Sequence, residues 1–151
     1  MGNNKQGGNR SQGHYEFIEH TADIAIKAYG DSLEQAFAVA ASAMFDIMTD
    51  GAAVVSEESI DFDTESVDRE GLLVGFLSDL IVLHEVQGYV FGEFEITFFG
   101  ENRLRARCRG EMFDESRHAS GLHVKGVSYH MLEMFDGAGE KPSFVQVLFD
   151  V

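Results

Sequence analysis

Ser32-Leu33-Glu34-Gln35-Ala36-Phe37-Ala38-Val39-Ala40-Ala41-Ser42-Ala43-Met44-Phe45-Asp46-Ile47-Met48 is the stretch that decides the architecture. Leu33, Ala36, Phe37, Ala40, Met44 and Ile47 recur at intervals of three and four, which gives a helix running to about Met48 one apolar stripe. Ser32 with Gln35 has capping-box spacing, and Asp31 with Glu34 offers the same device one residue earlier. The Met and Phe side chains of the stripe read as core packing, not as a cofactor groove. Upstream, residues 15–18 and 24–29 read as short strands separated by Glu19-His20-Thr21-Ala22-Asp23. Downstream, Ile60 and Phe62 alternate with Asp61 and Asp63 in a strand with one wet face. A second helix begins near Asp68, carries Leu72, Leu73, Phe76, Leu77, Leu80 and Ile81, and stops at Gly88.

Beyond Gly88 the pattern is β-rich. Phe94, Ile96 and Phe98 alternate with Glu93, Glu95 and Thr97, and Gly100-Glu101-Asn102 suits a hairpin turn into a return strand over residues 103–109. Residues 110–121 read as a polar connection, 124–135 as a strand, 136–142 as a Gly-rich loop and 143–151 as the last strand. Two helices set among strands and followed by a meander predict an α+β fold, a single domain with two helices packed on one face of a mixed β-sheet. Phe144, Val145, Val147, Leu148 and Phe149 are apolar on both parities, as expected of a central, covered strand.

The chain has 151 residues, enough for one domain with a sizeable core. Residues 1–13 are rich in Gly, Asn and Gln and are expected to be a disordered lead-in, neither signal peptide nor anchor, with the folded domain over 14–151. No apolar run approaches the roughly 20 residues that span a bilayer. The single cysteine, Cys108, excludes an internal disulfide framework and shares its parity with Leu104 and Ala106, as a small buried hydrophobe does. An intracellular, cytoplasmic location is the corresponding expectation.

Asp plus Glu number 26 against 11 Lys plus Arg, a formal net charge of −15. Such a surface repels polyanions, so direct nucleic-acid binding is not expected. Four of the basic residues are Lys, and an acidic, Lys-poor surface suits a high-salt cytoplasm where screening removes self-repulsion. Arg103, Arg105, Arg107 and Arg109 share one strand face, the one basic patch. Pairing with Glu93 and Glu95 across the hairpin accounts for it without RNA.

No nucleophile–base motif and no phosphate-cradling Gly-rich loop stands out. The six histidines are scattered, and each reads first as a surface or hydrogen-bonding residue. Two polar features remain: the segment from His20 to Asp23 between apolar strands, and Asp150 with Val151 after the most apolar strand. If Asp23 and Asp150 meet, carboxylates share one site and call for a bridging cation or a proton. All-oxygen ligands favour a hard divalent ion, Ca²⁺ first, then Mg²⁺ or Mn²⁺. Lys125 is either a neutralising neighbour or a solvent-facing residue.

At these positions the sequence resembles the archease family. The resemblance is carried by Tyr15-Glu16-Phe17-Ile18-Glu19-His20-Thr21-Ala22-Asp23-Ile24, by residues 30–37 and 43–50, by the Leu-rich second helix, by Val124-Lys125-Gly126-Val127-Ser128-Tyr129-His130 and by Phe149-Asp150-Val151. The resemblance implies an accessory protein, not an enzyme, that assists RtcB-type RNA ligases in tRNA splicing and RNA end joining by promoting ligase guanylylation and multiple turnover. It places metal ligation on Asp23 and Asp150 and a functional role on Lys125; Val151, as a carboxylate next to Asp150, and His20, in the polar segment before Asp23, are expected to join them on position alone. Two departures are small, Gly126 for Ala and Ser128 for Thr. His123 stands where an acidic residue is usual, which bears on ligand count if that position lies near the site. The alternative class is a small metal-dependent hydrolase or nucleotide-modifying enzyme using the same carboxylates.

Overall fold

The computed structural model describes residues 13–18 and 23–151. Residues 1–12 of the expected lead-in, and His20, lie outside the described residues. The described elements run β1 (His14–Ile18), β2 (Asp23–Gly30), α1 (Leu33–Thr49), β3 (Glu58–Glu65), α2 (Arg69–Gln87), β4 (Tyr89–Phe99), β5 (Arg103–Met112), α3 (Glu115–His118), β6 (Gly126–Phe135) and β7 (Ser143–Asp150).

The α+β class holds, with both long helices packed against sheet. The strands, however, form two antiparallel sheets instead of one mixed sheet: β1-β2-β7-β6 and β3-β5-β4. The reason lies in the second sheet. The strands β3 and β4, joined across α2, run parallel to each other, but the β4–β5 hairpin inserts β5 between them, so each neighbour is antiparallel. Strand β7 is central, as its two-sided apolarity predicts.

Helix α1 starts as its sequence dictates. The Ser32 hydroxyl accepts from the Gln35 N–H at 3.1 Å, while the Gln35 side chain reaches back to the Asp31 N–H. All of its residues except Glu34, Gln35 and Asp46 are buried, because it lies against β1, β2 and β7 of one sheet and β4 of the other. A helix apolar on nearly every side belongs in such a place. Helix α2 opens on an Asp68 N-cap and closes at Gly88, whose φ of 82° is left-handed backbone that glycine adopts without strain. The core is aromatic: Phe37 stacks on Phe76 and meets Phe99 edge-on, and Phe45 packs against Phe91 and Phe94.

Residues 110–121, expected as a polar connection, are more ordered than that. Strand β5 continues to Met112 and α3 follows, because buried Glu111 and His118 tie the segment down through hydrogen bonds that no apolar periodicity announces. The strand expected over 124–135 begins at Gly126 and breaks register between Ser128 and Glu133.

Candidate functional site

Asp23 opens β2 and Asp150 closes β7, and the antiparallel register sets them directly opposite one another. Residues facing each other across an antiparallel pair project from the same face, about 4.5–5.5 Å apart at Cβ. The two carboxylates, 127 positions apart in the chain by number, therefore share one end of one sheet face. Asp23 is half-buried and Asp150 exposed. Gly126 is the β6 partner of Asp150, so three strands contribute to this end.

Backbone bonding fixes Asp150 from the other side. The Lys125 N–H donates to the Asp150 carbonyl at 2.7 Å, just before β6 begins. This puts the Lys125 backbone beside the aspartate pair, with its side chain exposed. Gly126 leaves room: a Cβ there would meet an Asp150 carboxylate oxygen at 3.7 Å, an ordinary contact, so the departure from Ala costs the site nothing sterically. The Val151 side chain packs against the core and anchors the strand end next to Asp150.

The donor set of this pair is oxygen alone, which fits a hard cation and not a soft one. The pair is incomplete as a cage. Among the described residues, no group of three or more His, Cys, Asp or Glu side chains converges on a metal-binding position. Remaining ligands for an ion held by Asp23 and Asp150 would have to be main-chain oxygens or water, as Ca²⁺ and Mg²⁺ accept. His123, the departure noted above, hydrogen-bonds Glu85 beyond the middle of α2.

Next to the pair, β6 carries a feature that periodicity did not reveal. Ser128 pairs with Leu148 and Glu133 with Gln146, so residues 129–132 have to arch away from β7. The arch is pinned where the Gln146 amide donates to the Met131 carbonyl at 2.8 Å and the His130 N–H donates to the Ser128 hydroxyl at 3.0 Å. Met131 takes a φ of 61°, uncommon for a non-glycine residue. Gln146 in an otherwise apolar strand was the available clue, a polar group whose only reason to be buried is a partner.

The arginine face is spoken for. Arg107 forms a two-pronged pair with Asp61 at 2.9 and 3.1 Å, Arg105 bonds Asp63 at 2.8 Å, and Arg103 lies 3.6 Å from Asp63. Of the expected hairpin partners, Glu93 lies 3.8 Å from Arg109, and Glu95 sits opposite Arg107 and adds to the charge that supports it. The Arg107 guanidinium holds the Asp61 carboxyl below its ordinary range. The main counter-charges come from β3, because β5 is the middle strand. His84, in the last turn of α2, bonds the Tyr89 carbonyl through Nδ1 at 2.8 Å.

The archease protein family matches residues 15–151. The "Protein archease" of Pyrococcus furiosus is 39% identical over 123 residues, covering 80% of this chain and 87% of that one. Its counterpart from Methanosarcina mazei is 39% identical over 129 residues, covering 83% and 88%. The solution structure of Methanobacterium thermoautotrophicum protein 1598 superposes with a TM-score of 0.70 at 30% identity, covering 91% of this chain and 98% of that one. With paired aspartates at a sheet end, this fold and a match spanning nearly the whole chain, the protein belongs to the archease family.

Proposed function

We propose that this protein is a non-catalytic activator of an RtcB-type RNA ligase, serving tRNA splicing and RNA end joining in the cytoplasm by promoting ligase guanylylation and multiple turnover. The observation that carries the reading is the register pairing of Asp23 with Asp150, with the Lys125 backbone bonded to the latter. Asp23, Asp150 and Val151 would hold a divalent cation, Ca²⁺ before Mg²⁺ or Mn²⁺, and Lys125 and His20 would meet the partner. When bound, the ion supplies positive charge at an acidic strand end and can accept an anionic oxygen as a further ligand. The chain's own residues do the rest. The β2–β7 register holds the two carboxylates on one face, the Lys125 N–H keeps the end of β7 from fraying, and Val151 seats it on the core. The arginines of β5 are engaged with carboxylates, which supports action through a protein partner over direct RNA binding.

The test is multiple-turnover ligation by a cognate ligase with and without this protein. Wild type should accelerate turnover, and Asp150→Ala should abolish the acceleration while leaving the fold intact. No acceleration by wild type, or undiminished acceleration by Asp150→Ala, would sink the proposal. Turnover of GTP or of RNA ends by the protein alone, lost in Asp23→Ala, would favour an enzyme instead.

A further inference from the structure

The face of the four-stranded sheet that carries Asp23 and Asp150 bears, at its other end, a row of aromatic rings with one from each strand. His14, Tyr29, Phe144 and Phe135 are successive register partners across β1, β2, β7 and β6. His14 stacks on Tyr29 with centroids 4.5 Å apart and planes 13° from parallel, and Phe135 stacks on Phe144 at 5.6 Å and 26°. Tyr29 and Phe144 meet at 6.0 Å. Rings that stack at these separations across neighbouring strands stand on edge, so their faces are turned to one another and their edges to solvent. Lys27 Nζ takes up a further face, 4.1 Å from the Phe144 centroid.

None of these rings belongs to the hydrophobic core, which gathers on the opposite face around Ile26, Val145, Val147 and Phe149. Phe135 is 39% exposed and His14 exposed, with Tyr29 and Phe144 half-buried between them, and Met131 in the β6 arch, whose carbonyl takes the Gln146 amide of this face, is 38% exposed. Aromatic and Met side chains left in water on a sheet face are the composition of an interaction patch. Its border is acidic. Glu16 and Glu133 occupy the next row, and Asp23 and Asp150 close the far end. The one intervening cation, Lys27, is turned onto the Phe144 ring.

We infer that this face docks a basic protein, one presenting Arg or Lys around an apolar centre, as the surface of an RNA-binding enzyme does. On the functional reading above, on which this inference rests, that protein is the ligase. Nucleic acid fits the face poorly, because single strands need free ring faces to stack on and basic groups to meet phosphate. A basic protein meets complementary charge at the border and aromatic edges at the centre, the usual division between steering groups and hot spots.

The experiment measures the affinity of the full chain for a purified RtcB-type ligase by titration at low and moderate salt, alongside ligation turnover. The variants are His14→Ala with Phe135→Ser, and separately Glu133→Lys, each checked for an unchanged far-ultraviolet spectrum. Both positions are exposed, and Glu133→Lys on its own keeps the test alive if the double variant misfolds. The double variant should bind roughly tenfold more weakly or worse, Glu133→Lys should bind more weakly with a shallower salt dependence, and excess of either should restore full turnover. If wild type binds and activates the ligase while all variants match its affinity, the docking face is refuted and the activator reading survives. If wild type neither binds nor activates, both fall. The docking face is likewise refuted if the variants abolish self-association or binding to single-stranded RNA and leave ligase affinity unchanged.

Discussion

Glu111 shows how one buried charge organises its surroundings. It is 3% exposed on β5, and its carboxylate accepts from the Val55 N–H at 2.7 Å and from both prongs of Arg117. The Asp114 N–H donates to Nδ1 of His118 at 2.9 Å, so a neutral His118 ring carries its proton on Nε2, aimed at Glu111 3.3 Å away. The Arg117 hydrogen bonds foremost, then that of Val55, hold the Glu111 carboxyl down from 4.5 to about 2. A carboxyl depressed on folding stabilises the fold above its unfolded value and loses that contribution as pH falls through the folded one. Urea unfolding of wild type and Glu111→Gln should therefore differ most above pH 4.5 and converge between that value and about pH 2. A constant gap over that range would contradict the assignment. Cys108 is the opposite case: burial first, then the Asp61 charge, push its thiol up to about 12, so it should resist alkylation at pH 8 until the protein unfolds. At the aspartate pair, like charges directly opposite cost about 0.2–1 kcal/mol. Asp23→Asn should leave the metal-free protein as stable or slightly more so, and should erase any rise in Tm that millimolar Ca²⁺ produces in wild type.

At the scale of elements, α1 carries the fold because it is shared by both sheets. Phe45 is fully buried against rings of β4, which belongs to the sheet that does not flank α1 in sequence at its start. Phe45→Ala should cost about 3–5 kcal/mol by denaturant titration, the range for large-to-small changes in a packed aromatic core. Ser32→Ala removes only a cap and should cost about 1 kcal/mol. A ratio near unity between the two would mean that α1 is not the hub its burial indicates. The β6 arch works in the other direction. Its three added positions relative to β7 break the ladder, and the Gln146 and Ser128 hydrogen bonds restore order locally. Broken pairing on an edge strand also discourages strand addition by other chains.

For the whole molecule, a net charge of −15 on 151 residues sets the long-range behaviour. The arginine–aspartate ladder on β5 and β3 neutralises part of it locally, and the remainder repels itself. At 1 M salt the Debye length falls to about 3 Å, and repulsion between exposed charges farther apart than that is screened. The melting temperature should rise between low-salt buffer and multimolar KCl, and flat or falling values would show that self-repulsion does not limit stability. No described helix is long and apolar enough to cross a membrane.

Helices α1 and α2, the Ser32 cap, the Gly88 stop, the β4–β5 hairpin turn and the centrality of β7 were legible in the chain, because each follows from periodicity or turn chemistry within a few residues. Asp23, Asp150 and Lys125 were legible as polar interruptions of apolar strands and through their motif resemblance. What contact order hides was decided only by the tertiary structure. The β3–β5 pairing gives Arg105 and Arg107 their aspartates, partners more than 40 positions away by number, and no local pattern encodes it. The same holds for the register that sets Asp23 opposite Asp150 and for the aromatic row beside them. A strand's sequence specifies which face each side chain takes, but only pairing with distant strands specifies which side chains become neighbours.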